Sequence, residues 1–119
     1  KKNNLIKGFT TNPSLMRKSG VKDYKKFSKQ VLKIVKNKPV SFEIFGDDLK
    51  SIEYQSRVIS SWAKNVYVKI PIVNTKNNSN VSLIGKLNKQ GIKINVTAIF
   101  TKEQTRKLLK KIGKNRYCS

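Results

Sequence analysis

Lys69 stands in the segment VYVKIP, residues 66–71, where Val66, Val68 and Ile70 share one parity and Tyr67 and Lys69 share the other. Alternate side chains of a strand face opposite sides. If both faces are covered, the lysine enters an interior in which an ammonium ion is costly. Either the amine reaches solvent or its burial has a use. The use would be chemical. An amine held among apolar groups or beside another cation loses part of its proton affinity, and a neutral amine attacks carbonyls to give a Schiff base. The resulting iminium accepts electrons when a neighbouring carbon–carbon bond breaks. The reaction also needs an acid/base group, which Glu43 in PVSFEIF could supply directly or through water. Thr97 in IKINVTAIF could hold that water, and Asn12 and Asn95 could hold substrate hydroxyls.

Four β-like runs must position these residues: 4–10, 39–45, 66–71 and 92–100. A helix-like stretch follows each. Asn12 before Pro13 has the form of an N-cap with proline at the first helical position. Residues 23–37 set Phe27, Val31, Ile34 and Val35 on one helical stripe, and residues 48–64 do the same with Leu49, Ile52, Ile59 and Trp62. Val81, Ile84 and Leu87 form a third stripe. Thr101 and Gln104 have capping-box spacing, with Leu108, Leu109 and Ile112 beyond. β and α alternate at intervals of roughly thirty residues, the pattern of βαβ units and a parallel sheet. A full (β/α)₈ barrel takes ~250 residues over eight units. The fold class expected here is therefore α/β, a partial TIM barrel of about four consecutive units in a single domain over residues 1–119.

Within the strands, one face is small or apolar and the other polar. Val40, Phe42 and Ile44 oppose Ser41 and Glu43, whereas Ile94, Val96 and Ala98 oppose Asn95 and Thr97; Gly8, Thr10 and Asn12 are in step. In a barrel the apolar faces pack on helices, so Thr10, Asn12, Glu43, Lys69, Asn95 and Thr97 would point inward. Several lie near the C-terminal strand ends, where barrels place their chemistry. Each residue also has a structural reading. Thr10 and Thr97 could be ordinary β-branched strand residues, Asn12 a helix cap, Asn95 a partner for loop backbone, and Glu43 with Lys69 a structural ion pair. Their common parity on successive strands favours a site.

Composition narrows the partners. The formal net charge is +21, yet of the 27 basic residues only Arg17, Arg57, Arg106 and Arg116 are arginines, and the lysines are spread along the chain. Without an arginine cluster or an aromatic–glycine motif, nucleic acid is not the expected partner; the mixture of Lys, Asn and Ile suits an AT-rich coding sequence. A positive field can still attract phosphorylated metabolites. No apolar run has membrane-spanning length, so no membrane partner is expected. Cys118 has no second thiol to pair with, and no signal-peptide pattern is visible. The expected setting is cytoplasmic. Oligomeric state has no signature here.

The motifs in series resemble one family. GFTTNPSLM (8–16) resembles the first signature of the transaldolases, and VSFEIFGDD (40–48) resembles the strand that carries their glutamate. VYVKIP resembles their Schiff-base lysine segment, and INVTAIF (94–100) resembles the strand that follows it, with its Asn-x-Thr pattern. Order and separations agree over nearly the whole chain. The resemblance implies a TIM barrel that uses no metal and no organic cofactor. It implies transfer of a dihydroxyacetone unit from a ketose phosphate to an aldose phosphate. Lys69 takes the place of the Schiff-base lysine, Glu43 that of the glutamate working with a bound water, and Thr97 that of the threonine beside that water. Asn12 and Asn95 match substrate-binding asparagines, and Thr10 lines the same pocket. The related fructose-6-phosphate aldolases usually carry glutamine at the glutamate position, so Glu43 favours the transaldolase branch.

There are departures. Phe9 is bulkier than the usual residue of the signature, and IVNTKNNSN (72–80) lacks the common Thr-x-x-Gly form, which bears on the acceptor. The resemblance also places a strand with an acid/base aspartate before Lys1. A Ser-Pro-Phe segment and phosphate-binding arginines would follow the last helix, whereas the chain ends in GKNRYCS, with Arg116 in no matching motif. The chain thus reads as the second to fifth βα units, incomplete at both ends. Alone it would leave two sheet edges open, an invitation to pair with other chains. The isolated piece is expected to fold poorly or self-associate and to lack transaldolase activity. The competing functions are a simple Schiff-base aldolase of this fold and, outside enzymes, a basic binding module or inactive remnant.

Overall fold

A computed structural model describes residues 5–18, 20 and 22–112. In chain order the elements are β1 (Phe9–Thr10), α1 (Pro13–Lys18), α2 (Tyr24–Ile34), β2 (Val40–Glu43), α3 (Leu49–Ser60), β3 (Val66–Pro71), α4 (Val81–Lys89), β4 (Ile94–Thr97) and α5 (Lys102–Lys111). The strands form one parallel sheet in the order β1-β2-β3-β4. Sequence neighbours are spatial neighbours throughout, as along the wall of a (β/α) barrel. Asn4, Arg116 and Cys118 lie outside the described residues.

The outward strand faces make the core. Val40, Phe42, Val68, Ile70 and Ile94 are fully buried against Ile52 and Ile59 of α3, Ile84 and Leu87 of α4 and Leu108 of α5. Each such side chain contributes about 1.5–3 kcal/mol relative to exposure. Caps set the helix starts. Asp23 accepts from Lys26 N and Asp48 from Ser51 N, both at 3.0 Å. Thr101 and Gln104 form the full capping box. Asn80 anchors α4 differently: it is buried, and its Nδ2 donates to Pro71 O at 3.0 Å, tying the helix to the end of β3. α5 approaches α4 through Gly85, where a Cβ would lie 2.8 Å from Lys111 Cβ and 2.9 Å from Lys111 O. No helix among the described residues is long and apolar enough to cross a membrane.

The sheet corrects the expected limits. β3 has the bounds read from sequence, but β1 is confined to Phe9–Thr10. Among the described residues its only neighbour begins at Val40, because Pro39 has no N–H to extend the ladder, although its carbonyl accepts from Phe9 N at 2.8 Å. β4 stops at Thr97 because Ala98 adopts φ 59°, the left-handed region, and Ala98 is exposed instead of sharing the buried face. Three stripe residues, Ile34, Leu49 and Leu109, are also exposed. Ile34 and Leu49 are terminal residues of their helices, where a stripe runs past its cover. Leu109 lies on a helix packed against α4 on one side. Trp62 follows α3 instead of belonging to it, and packs edge-on to Phe42 with centroids 5.5 Å apart.

Candidate active site

The inward face carries the polar parity. Glu43 pairs with Lys69, and Lys69 with Asn95, as direct neighbours across β2, β3 and β4. Lys69 Nζ lies 3.7 Å from Glu43 Oε2, and the two side chains are 15% and 33% exposed. That separation is too long for a direct hydrogen bond, so the contact is electrostatic. The amine instead donates to Thr11 O at 3.3 Å. On the inner side the stem of Lys69 is therefore largely covered, and its head faces one carboxylate and one carbonyl.

Asn95 Nδ2 donates to Ser41 Oγ at 3.2 Å. β2 and β4 are two strands apart, roughly 9.5 Å in a flat sheet; side chains that meet across β3 require a face curved inward. Asn95 thus engages a side-chain hydroxyl, not loop backbone. Thr10, Ser41, Tyr67 and Asn95 line a concavity of about 350 Å³ with Lys7 and Pro39. Thr97 shares the face, opposite Pro71, with no hydrogen bond from its hydroxyl to Lys69 or Glu43. Asn12 sits at the start of α1, and its Oδ1 accepts from Ser14 N at 3.0 Å and Leu15 N at 3.2 Å. It caps the helix with its oxygen, while its Nδ2 makes no hydrogen bond among the described residues.

Thr11, Tyr24 and Ser41 were not among the expected site residues, yet they hold the surroundings. Thr11 Oγ1 donates to Ser41 O at 3.0 Å and contacts Tyr24 Oη at 3.2 Å; Glu43 N donates to that same Oη at 3.0 Å. Burial pushes the Tyr24 phenol above its ordinary pKa, and its bond to Thr11 opposes this. Tyr24 directly follows the cap Asp23, at the helix end nearest the C-terminal ends of the strands, and nothing in the spacing of the sequence marks it.

The loop after β3 is fastened to the loop after β2. Asp47 Oδ1 accepts from Thr75 N at 2.8 Å, Asp47 Oδ2 from Thr75 Oγ1 at 2.6 Å, and Asp47 O from Asn74 Nδ2 at 3.1 Å. The Thr75 hydroxyl, then its backbone N–H, holds the Asp47 carboxyl below the usual aspartate pKa. A depressed carboxyl contributes its stabilisation above the unfolded-state value and loses it as pH falls through the folded-state value. In a pH titration, the Thr75 amide resonance is expected to stay constant at neutral pH. It then moves with a midpoint below the ordinary aspartate value. A midpoint at or above that value would contradict the clasp.

The fold is the wall of a parallel (β/α) barrel, and the polar residues on its inner face include a lysine beside a carboxylate. The family model Transaldolase/Fructose-6-phosphate aldolase matches residues 1–119. "Probable transaldolase" of Methanococcus maripaludis is 39% identical over 100 residues, covering 84% of this chain and 44% of that protein. "Probable transaldolase" of Dehalococcoides mccartyi is 37% identical with the same coverage. "Probable transaldolase 2" of Listeria monocytogenes is 36% identical, covering 84% and 43%. The chain belongs to the transaldolase/fructose-6-phosphate aldolase family. It spans less than half the length of these relatives.

Proposed function

We propose that the protein carrying this chain transfers a dihydroxyacetone unit from a ketose phosphate to an aldose phosphate through a Schiff base on Lys69. The observation that carries this reading is the placement of the Lys69 amine, 85% of its side chain covered, 3.7 Å from the Glu43 carboxylate on the inner face. The neutral amine adds to the ketose C2 carbonyl to give a carbinolamine. Glu43, directly or through a water, passes a proton to the departing hydroxyl, which leaves as water. The iminium then takes the electrons of the C3–C4 bond as the C4 hydroxyl passes its proton, directly or through a water, to the Glu43 carboxylate, which later returns it to the new alkoxide. An aldose phosphate leaves, and an enamine of dihydroxyacetone remains. The enamine carbon attacks the aldehyde of the acceptor, the new alkoxide takes a proton, and water hydrolyses the imine to free Lys69.

The Asn12 Nδ2 and the Asn95 side chain are assigned to substrate hydroxyls, Thr97 to the water near Glu43, and Thr10 to the wall of the pocket. Glu43 in place of glutamine supports transfer over simple aldol cleavage. The test uses the full polypeptide with a ketose phosphate donor and an isotope-labelled aldose phosphate acceptor. Transfer gives a labelled ketose phosphate and little free dihydroxyacetone. Free dihydroxyacetone with no labelled ketose would make the protein an aldolase, and neither product would remove the enzymatic reading.

A further inference from the structure

Tyr24 touches both segments that hold the reacting pair, the backbone of Glu43 and the side chain of Thr11. Glu43 N–H can only donate, and it donates to Tyr24 Oη at 3.0 Å. Ser41 O can only accept, and it takes the Thr11 hydroxyl proton at 3.0 Å. With the Thr11 hydroxyl proton on Ser41 O, the 3.2 Å contact between the hydroxyls runs from Tyr24 to Thr11. The chain has one direction, from Glu43 N through Tyr24 and Thr11 to Ser41 O. Thr11 O in turn receives Lys69 Nζ at 3.3 Å. One phenol on α2 therefore joins the backbone of the carboxylate to the residue whose carbonyl holds the amine.

We propose that Tyr24 is a positioning residue for the Lys69–Glu43 pair, acting through the Glu43 amide and through Thr11; this rests on reading that pair as the reacting groups. The ring is clamped by Phe45 at 4.8 Å and 84°, Phe42 at 6.1 Å and 89°, and Trp62 at 6.2 Å and 58°. The hydroxyl is consequently delivered to one point. Burial keeps the phenol protonated well into the alkaline range, so it remains a donor at neutral pH. The pair lacks a direct hydrogen bond of its own, so its geometry depends on its supports.

The test is Tyr24→Phe in the full polypeptide, compared with Val31→Ala on the same helix. The first readout is the rate at which limiting formaldehyde and cyanoborohydride methylate each lysine, resolved by peptide mass. It requires no catalytic activity. Lys69 in Tyr24→Phe is expected to react about fivefold faster relative to exposed Lys50 and Lys110, the size of one lost hydrogen bond. In Val31→Ala the ratio stays at the parent value. The second readout is kinetic: kcat for transfer falls roughly ten- to a hundredfold with KM near the parent value. Unchanged Lys69 labelling in Tyr24→Phe overturns the proposal whatever the turnover, and so does an equal rise in both variants. Faster labelling confined to Tyr24→Phe, in a protein whose parent forms no adduct with ketose phosphate, keeps the positioning role and removes the Schiff-base reading. If Tyr24→Phe does not fold, Thr11→Val breaks the same chain one link later and keeps the Thr11 carbonyl. Unchanged Lys69 labelling there is equally fatal.

Discussion

Lys69→Met in the full polypeptide is expected to give a folded protein with no detectable transfer and no adduct trapped by borohydride. Methionine keeps much of the apolar stem, which is the part the structure covers, and removes both the charge and the nucleophile. The loss to stability is small. One hydrogen bond, to Thr11 O, disappears, worth about 1 kcal/mol. Glu43 is left without its cation but is one-third exposed, so water can replace the attraction. Thermal unfolding and turnover, measured side by side, separate the outcomes. Intact melting with abolished turnover is the expected pair. Retained turnover would remove Lys69 from the chemistry.

Glu43→Gln has the second largest expected effect, and it dissects the steps. The substitution keeps the shape and the backbone N–H that meets Tyr24, and it removes only the titrating group. Some imine still forms, because the amine and its contact with Thr11 remain. Steps that move a proton slow by roughly the 10²–10⁴-fold typical of a lost general acid or base. Single-turnover kinetics, with imine trapped at successive times, read the two effects apart. Melting changes little, since the 3.7 Å pair has no direct hydrogen bond to lose and glutamine keeps the side-chain volume. Unchanged turnover with a clearly lower melting temperature would make Glu43 and Lys69 a structural ion pair.

The parity of short strands was enough to read the pair. Glu43 and Lys69 face each other because VSFE and VYVKIP alternate in step, and the parallel register Val40↔Val66 through Glu43↔Lys69 preserves that step. Helix starts were legible at Asn12 and Thr101, where a proline or a glutamine at the right spacing marks the cap; the Asp23 and Asp48 caps came only with the structure. Strand ends were less so. Whether residues before Phe9 join a sheet depends on a neighbour, and Pro39 interrupts it. Ala98 reads as one more strand residue, and its left-handed backbone has no mark in its side chain. The Tyr24–Thr11–Ser41 chain was invisible for another reason. A hydroxyl 13 positions away and a carbonyl 30 positions away carry no periodicity, and a tyrosine in the first turn of α2 reads as surface until the sheet curves beneath it. Thr10 was named from the strand parity, but it is the next residue, Thr11, one position beyond β1, whose carbonyl accepts from the amine.

The most direct test of the central claim is borohydride reduction of the full polypeptide in the presence of a ketose phosphate, followed by peptide mass mapping. The reading predicts one modified site, Lys69, carrying the reduced three-carbon unit, and a return of the unmodified mass when borohydride is omitted. An adduct on another lysine, or no adduct while ketose phosphate is still consumed, would contradict it.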